Sequence, residues 1–188
     1  MTERGVVHYG CLNMAVNSAK GMPEQSDLEK IASILLRHGV EFLVVGGQAE
    51  VLMGSPRVTY DTDLCYRRTK ENLERLAEAL KELKPSLRGA PADLPFVLDA
   101  GALAFGNNYT LNTSLGPLDL LGWVEPLGVY ESLLPASETY SVGDLVLRAI
   151  GLNDLIRIKE HIGRAKDRES LLQLQAIRAL RNKEQGRE

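Results

Sequence analysis

One short apolar run that ends in two glycines constrains the fold of this chain more than any other stretch. Residues 42–45 (Phe-Leu-Val-Val) have the composition of a buried β-strand, and Gly46 and Gly47 follow directly. A short helix is expected from there to Met53, because residues 54–56 (Gly-Ser-Pro) stop a helix. The pattern predicts a buried strand that turns tightly into a helix.

A second strand-like run, residues 59–66, contains two aspartates two positions apart. Because side chains alternate along a strand, Asp61 and Asp63 are expected on one face, roughly 6 to 7 Å apart at Cα. Tyr60 and Leu64 are expected to point the other way, into a core. Two neighbouring carboxylates repel, and burial would raise the pKa of at least one of them unless a cation lies between. A hard divalent cation bound by oxygen ligands resolves this repulsion.

The composition is that of a soluble, single-domain protein. The chain has 188 residues, of which 44% are hydrophobic and 25% charged, enough to bury one sizeable core. No apolar run approaches the ~20 residues that span a bilayer, and the N-terminus lacks the pattern of a secretory signal. Cys11 and Cys65 form neither a metal-binding spacing nor a disulfide framework. We therefore expect a reduced, cytoplasmic protein with no membrane segment.

The charge distribution limits the classes of binding partner. A net charge of −3 disfavours a protein that coats nucleic acid indiscriminately. A local basic group nevertheless occurs in the C-terminal part of the chain, and its members are Arg157, Lys159, His161, Arg164, Lys166 and Arg168. The net charge therefore does not exclude a local basic patch.

The chain is expected to divide into three parts. Residues 1–25 show no sustained period and are predicted to form an N-terminal arm. Residues 26–181 are predicted to form one domain, with C-terminal helices from about residue 152. Residues 182–188 are a polar tail.

Local signals predict the first helices of the domain. Ser26 and Glu29 form a capping box, and apolar residues recur after them at helical spacing. Thr69 is the predicted cap of a second amphipathic helix. Residues 85–95, rich in Pro and Gly, are predicted to form a loop, and residues 96–105 are compatible with either a helix or a strand.

A β-hairpin is predicted over residues 108–124, and Asp119 interrupts its apolar second strand. A buried Asp can be purely structural when a backbone amide satisfies it. The presence of Asp61 and Asp63 favours instead a third carboxylate at a cation site. Trp123 is expected to pack in the core or at its rim rather than to stack on a base.

Two short strands between residues 140 and 147 are predicted to precede the C-terminal helices. Lys159 falls on the apolar stripe of the first of these helices, with Leu155, Ile156 and Ile162. Its amine either reaches along the surface to solvent or faces a cleft that holds anionic groups. The second interpretation predicts that Lys159→Met weakens the binding of an anionic ligand and leaves folding intact.

Two motifs together resemble those of a known superfamily. Gly-Gly at residues 46–47, a spacer, and Arg-x-Thr-x-Asp-x-Asp at residues 57–63 resemble the DNA polymerase β-like nucleotidyltransferases. Asp-Leu-Ile-x-x-Lys at residues 154–159 and Gly-Arg-x-Lys-Asp at residues 163–167 are similar to C-terminal motifs of its small prokaryotic members. These members are the minimal nucleotidyltransferases and the AbiEii-type toxins.

The resemblance extends from about Val40 to about Leu174, and one position departs from it. Relatives usually carry an acidic residue where this chain has Ser170. The departure implies either altered helix capping or a weakened site.

The resemblance implies a fold class and a metal site. The fold would be α+β, with a mixed sheet of about four to six strands backed by helices and a helical C-terminal region that closes a cleft. Asp61, Asp63 and Asp119 would be the catalytic metal ligands and would hold two Mg²⁺ ions, with Mn²⁺ as a substitute. Asp61 and Asp63 would bind the nucleotide-bound ion, and Asp119 would help to activate the acceptor.

The resemblance also implies a nucleotide-binding set. Gly46 and Gly47 would let backbone amides approach phosphate, although the two glycines also suit a simple strand-to-helix turn. Lys159 would contact the triphosphate as a catalytic residue. The other expected members are Arg57, Thr59, Arg164, Lys166 and Asp167, of which Arg164 and Asp167 are expected to pair with each other.

Two functional hypotheses follow from different classes. The first is an enzyme that moves a nucleoside monophosphate from ATP or another nucleoside triphosphate to a hydroxyl on an RNA end such as tRNA, a protein or a small molecule. It would act on its own or with a toxin or antitoxin partner in a defence system. The second is a non-catalytic nucleotide-binding partner, such as an antitoxin, with the same fold.

Overall fold

The computed structural model describes residues 25–91 and 96–186. The predicted N-terminal arm, with Cys11, therefore lies outside the described residues except for residue 25. No helix in the described ranges is both long and apolar enough to span a membrane.

In these ranges the fold contains one seven-stranded sheet in the order β3-β4-β5-β2-β1-β7-β6. The strands are β1 Phe42–Val45, β2 Thr62–Tyr66, β3 Ser86–Leu87, β4 Asn108–Thr113, β5 Gly116–Leu121, β6 Glu138–Val142 and β7 Leu145–Ala149. The sheet is mixed, because β2 pairs in parallel with β5 and β1 with β7, whereas the other neighbours are antiparallel.

Helices cover the sheet and extend the chain at its C-terminus. They are α1 Asp27–Arg37, α2 Gly46–Leu52, α3 Lys70–Leu83, α4 Ala100–Phe105, α5 Tyr130–Leu133, α6 Leu152–Ile162 and α7 Ala165–Gln185. A short 3₁₀ turn, Leu134–Ala136, follows α5. The predicted α+β architecture with a helical C-terminal region is confirmed.

The predicted helix starts are confirmed by their caps. The Ser26 hydroxyl accepts a hydrogen bond from the Glu29 amide at 3.2 Å, and the Thr69 hydroxyl accepts one from the Asn72 amide at 3.4 Å. The ambiguous segment 96–105 contains helix α4, which begins where the Asp99 side chain accepts from Ala102 N at 2.8 Å. Side-chain oxygens thus satisfy amide donors that a helix N-terminus leaves unpaired.

Two details differ from the prediction. The sheet gains β3, two residues within the predicted loop, because the edge of β4 offers backbone partners to even a short extended segment. Tyr60 is 79% exposed rather than in the core. Strand β2 begins only at Thr62, so the alternation of a paired strand does not extend back to Tyr60.

The core lies between the sheet and the helices and consists mainly of Leu, Val, Ile and Ala. Cys65 is part of it, and burial raises the pKa of its thiol to about 12, as befits an unreactive core residue. Ile162, predicted on the buried stripe of α6, is 39% exposed, and Ile158 is buried instead. Helix α7 continues to Gln185, past the start of the predicted polar tail.

Candidate active site

The sheet brings Asp63 and Asp119 side by side. They are register partners on the parallel strands β2 and β5, so their side chains leave the same face of the sheet. Asp61 precedes β2 by one residue and is exposed. Val45, the last residue of β1, pairs with Asp63 on the other side. The three predicted carboxylates therefore gather where β1 ends and β2 begins.

The electrostatics of the carboxylates reflect this crowding. Burial, followed by the charges of Asp119 and Asp61, raises the pKa of Asp63 to about 6. A hydrogen bond from the Gly47 amide and the charge of Lys159 oppose this rise. Burial also raises the pKa of Asp119, partly offset by Arg88. Ionisation of the group is thus costly unless a further cation is present.

The residues fit a hard divalent cation by donor chemistry. All three side chains offer carboxylate oxygens, and the buried Oδ1 atom of Asp119 accepts no hydrogen bond in the described structure. Within residues 25–91 and 96–186, no three Asp, Glu, His or Cys side chains already stand in a metal-binding arrangement. Binding would therefore require the carboxylates to adjust their side-chain positions.

The two glycines pack against the acidic residues and the segment before them. Gly46 has a φ of +60°, and a Cβ built there would lie 2.0 Å from Asp63 Oδ2. A Cβ on Gly47 would lie 2.7 Å from Thr59 Oγ1. Both positions thus need glycine for close approach, the first also for its left-handed backbone. Their role in phosphate binding stays a prediction.

Next to α2 lies a group of polar residues that we call the buried charge cluster, in which Glu50, Lys159, Asp167 and Ser170 are buried and Arg57 is partly exposed. Glu50 is fully buried, and its Oε1 lies 2.5 Å from the Lys159 amine. Lys159 Nζ also donates to Asp167 Oδ1 at 3.2 Å. Arg57 donates to Ser170 Oγ and, at 3.4 Å, to Glu50 Oε1. The cluster joins α2 to α6 and α7.

Lys159 therefore lies in neither of the two predicted environments. The amine is 7% exposed and does not reach solvent, and it is held between two carboxylates. Its charge nevertheless lowers the pKa of Asp63. Contact with a triphosphate stays a prediction. Arg164 and Asp167 pair as expected, with Nε donating to Oδ2 at 2.8 Å.

The remaining predicted residues are placed more simply. The side chain of Lys166 lies outside what the structure describes. Trp123 lies at the rim, 44% exposed, and its indole N–H donates to Glu125 Oε1 at 3.1 Å. Ser170, where an acidic residue is usual, is buried and serves as an acceptor for Arg57.

The sequence analysis missed two charged residues that contact the predicted site residues. Glu50 gives a usable signal, because it is a charged residue that directly follows the buried Ala49 in the short helix α2 and precedes the buried Met53 that caps it. Arg88 gives none, because its approach to Asp119 depends on the order of strands in the sheet.

Comparison with solved structures defines the class of fold. The fold is that of the nucleotidyltransferases, as the motifs predict. The chain resembles the lincosamide antibiotic adenylyltransferase LnuA, solved with lincomycin bound, at 16% identity and a TM-score of 0.55, covering 80% of this chain and 96% of that chain. A protein from Thermotoga maritima, assigned as a nucleotidyltransferase, matches at 15% identity and a TM-score of 0.48, covering 77% and 87% of the two chains.

The likeness to LnuA, at 16% identity, shows the fold alone. No protein-family model matches the sequence, and no curated protein matches it. The finer resemblance to AbiEii-type toxins stays a prediction.

Proposed function

We propose that this protein is a metal-dependent nucleotidyltransferase that moves a nucleoside monophosphate from a nucleoside triphosphate to a hydroxyl acceptor. The observation that carries the proposal is the pairing of Asp63 with Asp119 on neighbouring parallel strands. Asp61 lies beside them, and crowding together with burial raises the pKa of Asp63 to about 6. Such a carboxylate group in a nucleotidyltransferase fold supports a site that binds cations.

In this mechanism Asp61, Asp63 and Asp119 would hold Mg²⁺ or Mn²⁺. When bound, the metal would stabilise negative charge on the phosphates and on the attacking oxygen. Asp61 and Asp63 would orient the triphosphate, and Asp119, one strand away, would orient the acceptor hydroxyl. Gly46 and Gly47 would contact the phosphates through their backbone, and their lack of a Cβ makes room for the side chains of Asp63 and Thr59.

The buried charge cluster would support this chemistry through its positive charges. Its cations Arg57 and Lys159 are held by Glu50 and Asp167, so their positive charges keep fixed positions near the carboxylates. The effect of Lys159 on the pKa of Asp63 supports an electrostatic role that needs no contact with the triphosphate. Direct contact by Lys159, Arg57, Thr59, Arg164 or Lys166 belongs to the same proposal.

The acceptor is proposed by class. A small-molecule hydroxyl is one class, since the LnuA adenylyltransferase of similar fold was solved with lincomycin bound. An RNA end, such as that of tRNA, and a protein hydroxyl are the others. A role in a toxin–antitoxin or defence system is a further part of the proposal, and growth arrest on expression of the active protein, absent with Asp63→Asn, tests it.

Incubation with Mg²⁺ and each α-labelled nucleoside triphosphate tests the activity directly, with total tRNA, the protein itself and a panel of hydroxyl-bearing antibiotics as acceptors. We expect pyrophosphate release together with a labelled acceptor, and no release from Asp63→Asn or Asp119→Asn. The matched control is Asp144→Asn, an exposed carboxylate in the turn between β6 and β7, which should keep full activity. Full activity in Asp63→Asn would exclude the mechanism.

One contact favours the second candidate, a non-catalytic nucleotide-binding protein. Arg88 Nη2 lies 3.0 Å from Asp119 Oδ1, so a protein cation already neutralises part of the charge that a catalytic metal would neutralise. A binding protein would take up a triphosphate with a measurable Kd and release no pyrophosphate with any acceptor. Calorimetric titration alongside the transfer assay separates the two functions.

A further inference from the structure

Pairing of the edge strand β3 with β4 places Arg88 near the candidate active site. It follows β3 directly, and its amide donates to the Thr110 carbonyl at 2.9 Å. Thr110, on β4, is the register partner of Asp119 on β5. The Arg88 side chain therefore has to cross only strand β4 to reach the Asp119 carboxylate.

The contact between the two side chains is ionic but incompletely hydrogen-bonded. Arg88 Nη2 lies 3.0 Å from Asp119 Oδ1, yet it donates its hydrogen bond to the Leu111 carbonyl, also at 3.0 Å. The buried atoms Arg88 Nε and Asp119 Oδ1 form no hydrogen bond in the described structure. A closed Arg–carboxylate pair would use both oxygens and two N–H donors.

The pair is also accessible, in contrast to the ion pairs of the buried charge cluster. The side chains of Arg88 and Asp119 are 31% and 22% exposed. The guanidinium can therefore leave Asp119 without stranding a charge in the core, because water can solvate it. The combination of one close contact, no hydrogen bond from the guanidinium to the carboxylate, and two partly exposed side chains is what an exchangeable counter-ion requires.

We infer that Arg88 is the internal counter-ion of Asp119 and that its guanidinium competes with a divalent cation for this carboxylate. The inference rests on the proposed function, because the competing cation is the proposed metal. A divalent ion bound by Asp119 would lie close to the positive charge of Arg88, and the two cations repel each other. Metal binding therefore displaces the guanidinium, and Arg88 is a positioning residue rather than a metal ligand.

The test is calorimetric titration of the full-length protein with Mn²⁺, and separately with Mg²⁺, in the absence of nucleotide. Arg88→Gln removes the competing charge and should bind either ion more tightly than the wild type, by roughly three- to thirtyfold at low ionic strength. Arg88→Lys keeps the charge and should stay within about threefold of the wild type. Binding should weaken in Asp119→Asn.

Arg68→Gln is the matched control. It removes the same charge just beyond the other end of β2, where Arg68 donates to the Ala104 carbonyl, and should leave metal affinity unchanged. Circular dichroism of each variant shows whether it is folded. Should Arg88→Gln be poorly folded, the excess affinity of Arg88→Ala relative to Arg88→Lys gives the same comparison.

The outcomes separate the inference from the proposed function. Equal or weaker metal binding by Arg88→Gln, with clear binding by the wild type, overturns the inference and leaves the metal site standing. No binding by either protein overturns both. Binding by Arg88→Gln alone, or tighter binding by it than by both the wild type and Arg88→Lys, supports the competition.

Discussion

The molecule contains two groups of acidic side chains whose surroundings differ sharply. In the buried charge cluster, Glu50 and Asp167 are almost fully buried, and each lies against Lys159. At the candidate active site, Asp61 and Asp63 lie near the surface, and neither has an ion pair with a side chain in the described structure. Buried charges must be paired to be tolerated, whereas partly exposed charges can be left for a ligand. The difference supports the proposal that Asp61 and Asp63 bind a cation, whereas the cluster stabilises the fold.

Removal of the cation that Glu50 and Asp167 share should have the largest effect on stability. Lys159→Met leaves Glu50 and Asp167 buried without their amine, which should lower the free energy of unfolding by about 3 to 5 kcal/mol. The structure thus changes the expectation, drawn from the sequence, that this variant folds normally. Urea denaturation measures the loss.

Arg157→Met is the control for this change on the same helix. Arg157 is exposed, and its one ion pair within the described part of the chain is with Asp154 at 3.3 Å, so its loss should cost less than about 1 kcal/mol. A loss for Lys159→Met as small as this one would mean that the cluster contributes little to stability.

The next largest effect should come from the glycine that adjoins the open carboxylates. Gly46→Ala forces a left-handed φ on alanine and drives a Cβ into Asp63 Oδ2, at a cost of about 2 to 4 kcal/mol. Gly163→Ala is the matched control, since Gly163 has nearly the same φ, +61°, but its Cβ would lie 3.8 Å from the nearest atom, the Glu160 carbonyl oxygen. Thermal unfolding of both variants measures the cost of the clash between the new Cβ and Asp63 apart from the cost of the backbone conformation. Equal losses of stability would mean that the Asp63 side chain moves aside at no cost.

Asp63→Asn should have the opposite effect and stabilise the protein. The folded pKa of Asp63, about 6, lies above its ordinary 3.8, so its ionisation opposes folding. The protonated Asp63 carboxyl favours the folded state. This stabilisation is complete below about pH 4 and is lost as the pH rises through 6. At pH 7.5 and without metal, Asp63→Asn should be more stable than the wild type by about 1 to 2 kcal/mol, allowing for partial exposure.

Denaturation of both proteins across the pH range measures this difference, which should shrink toward pH 4.5. Added Mg²⁺ should stabilise the wild type more than Asp63→Asn. A difference that stays constant with pH would show that carboxylate ionisation is not its cause.

The smallest expected effect lies at the edge of the cluster. Ser170→Ala removes an acceptor of the Arg57 guanidinium, and because Arg57 is 27% exposed it can turn to water. The loss should be about 1 kcal/mol. Ser141→Ala, at an exposed position of β6, should change stability by less than about 0.5 kcal/mol. Equal effects would mean that the hydrogen bond from Arg57 to Ser170 contributes little to stability.

The sequence predicted those parts of the fold that depend on local chemistry. Helix caps at Ser26 and Thr69 and the hairpin around Asp119 follow from neighbouring residues alone. Tyr60 was predicted wrongly because alternation applies only to residues within a paired strand, and β2 begins two positions later. The two residues of β3 were too few to show a period.

For the candidate site, the sequence identified the carboxylates and glycines. The resemblance to the nucleotidyltransferases predicted that these residues form one site. The tertiary structure determines which residues are neighbours. It places Asp63 beside Asp119, Lys159 between Glu50 and Asp167, and Arg88 against Asp119. The physical reason is that charge interactions depend on distance and solvent exposure. Both are set by the order of strands and by the packing of α2 against α6 and α7, which residue spacing does not encode.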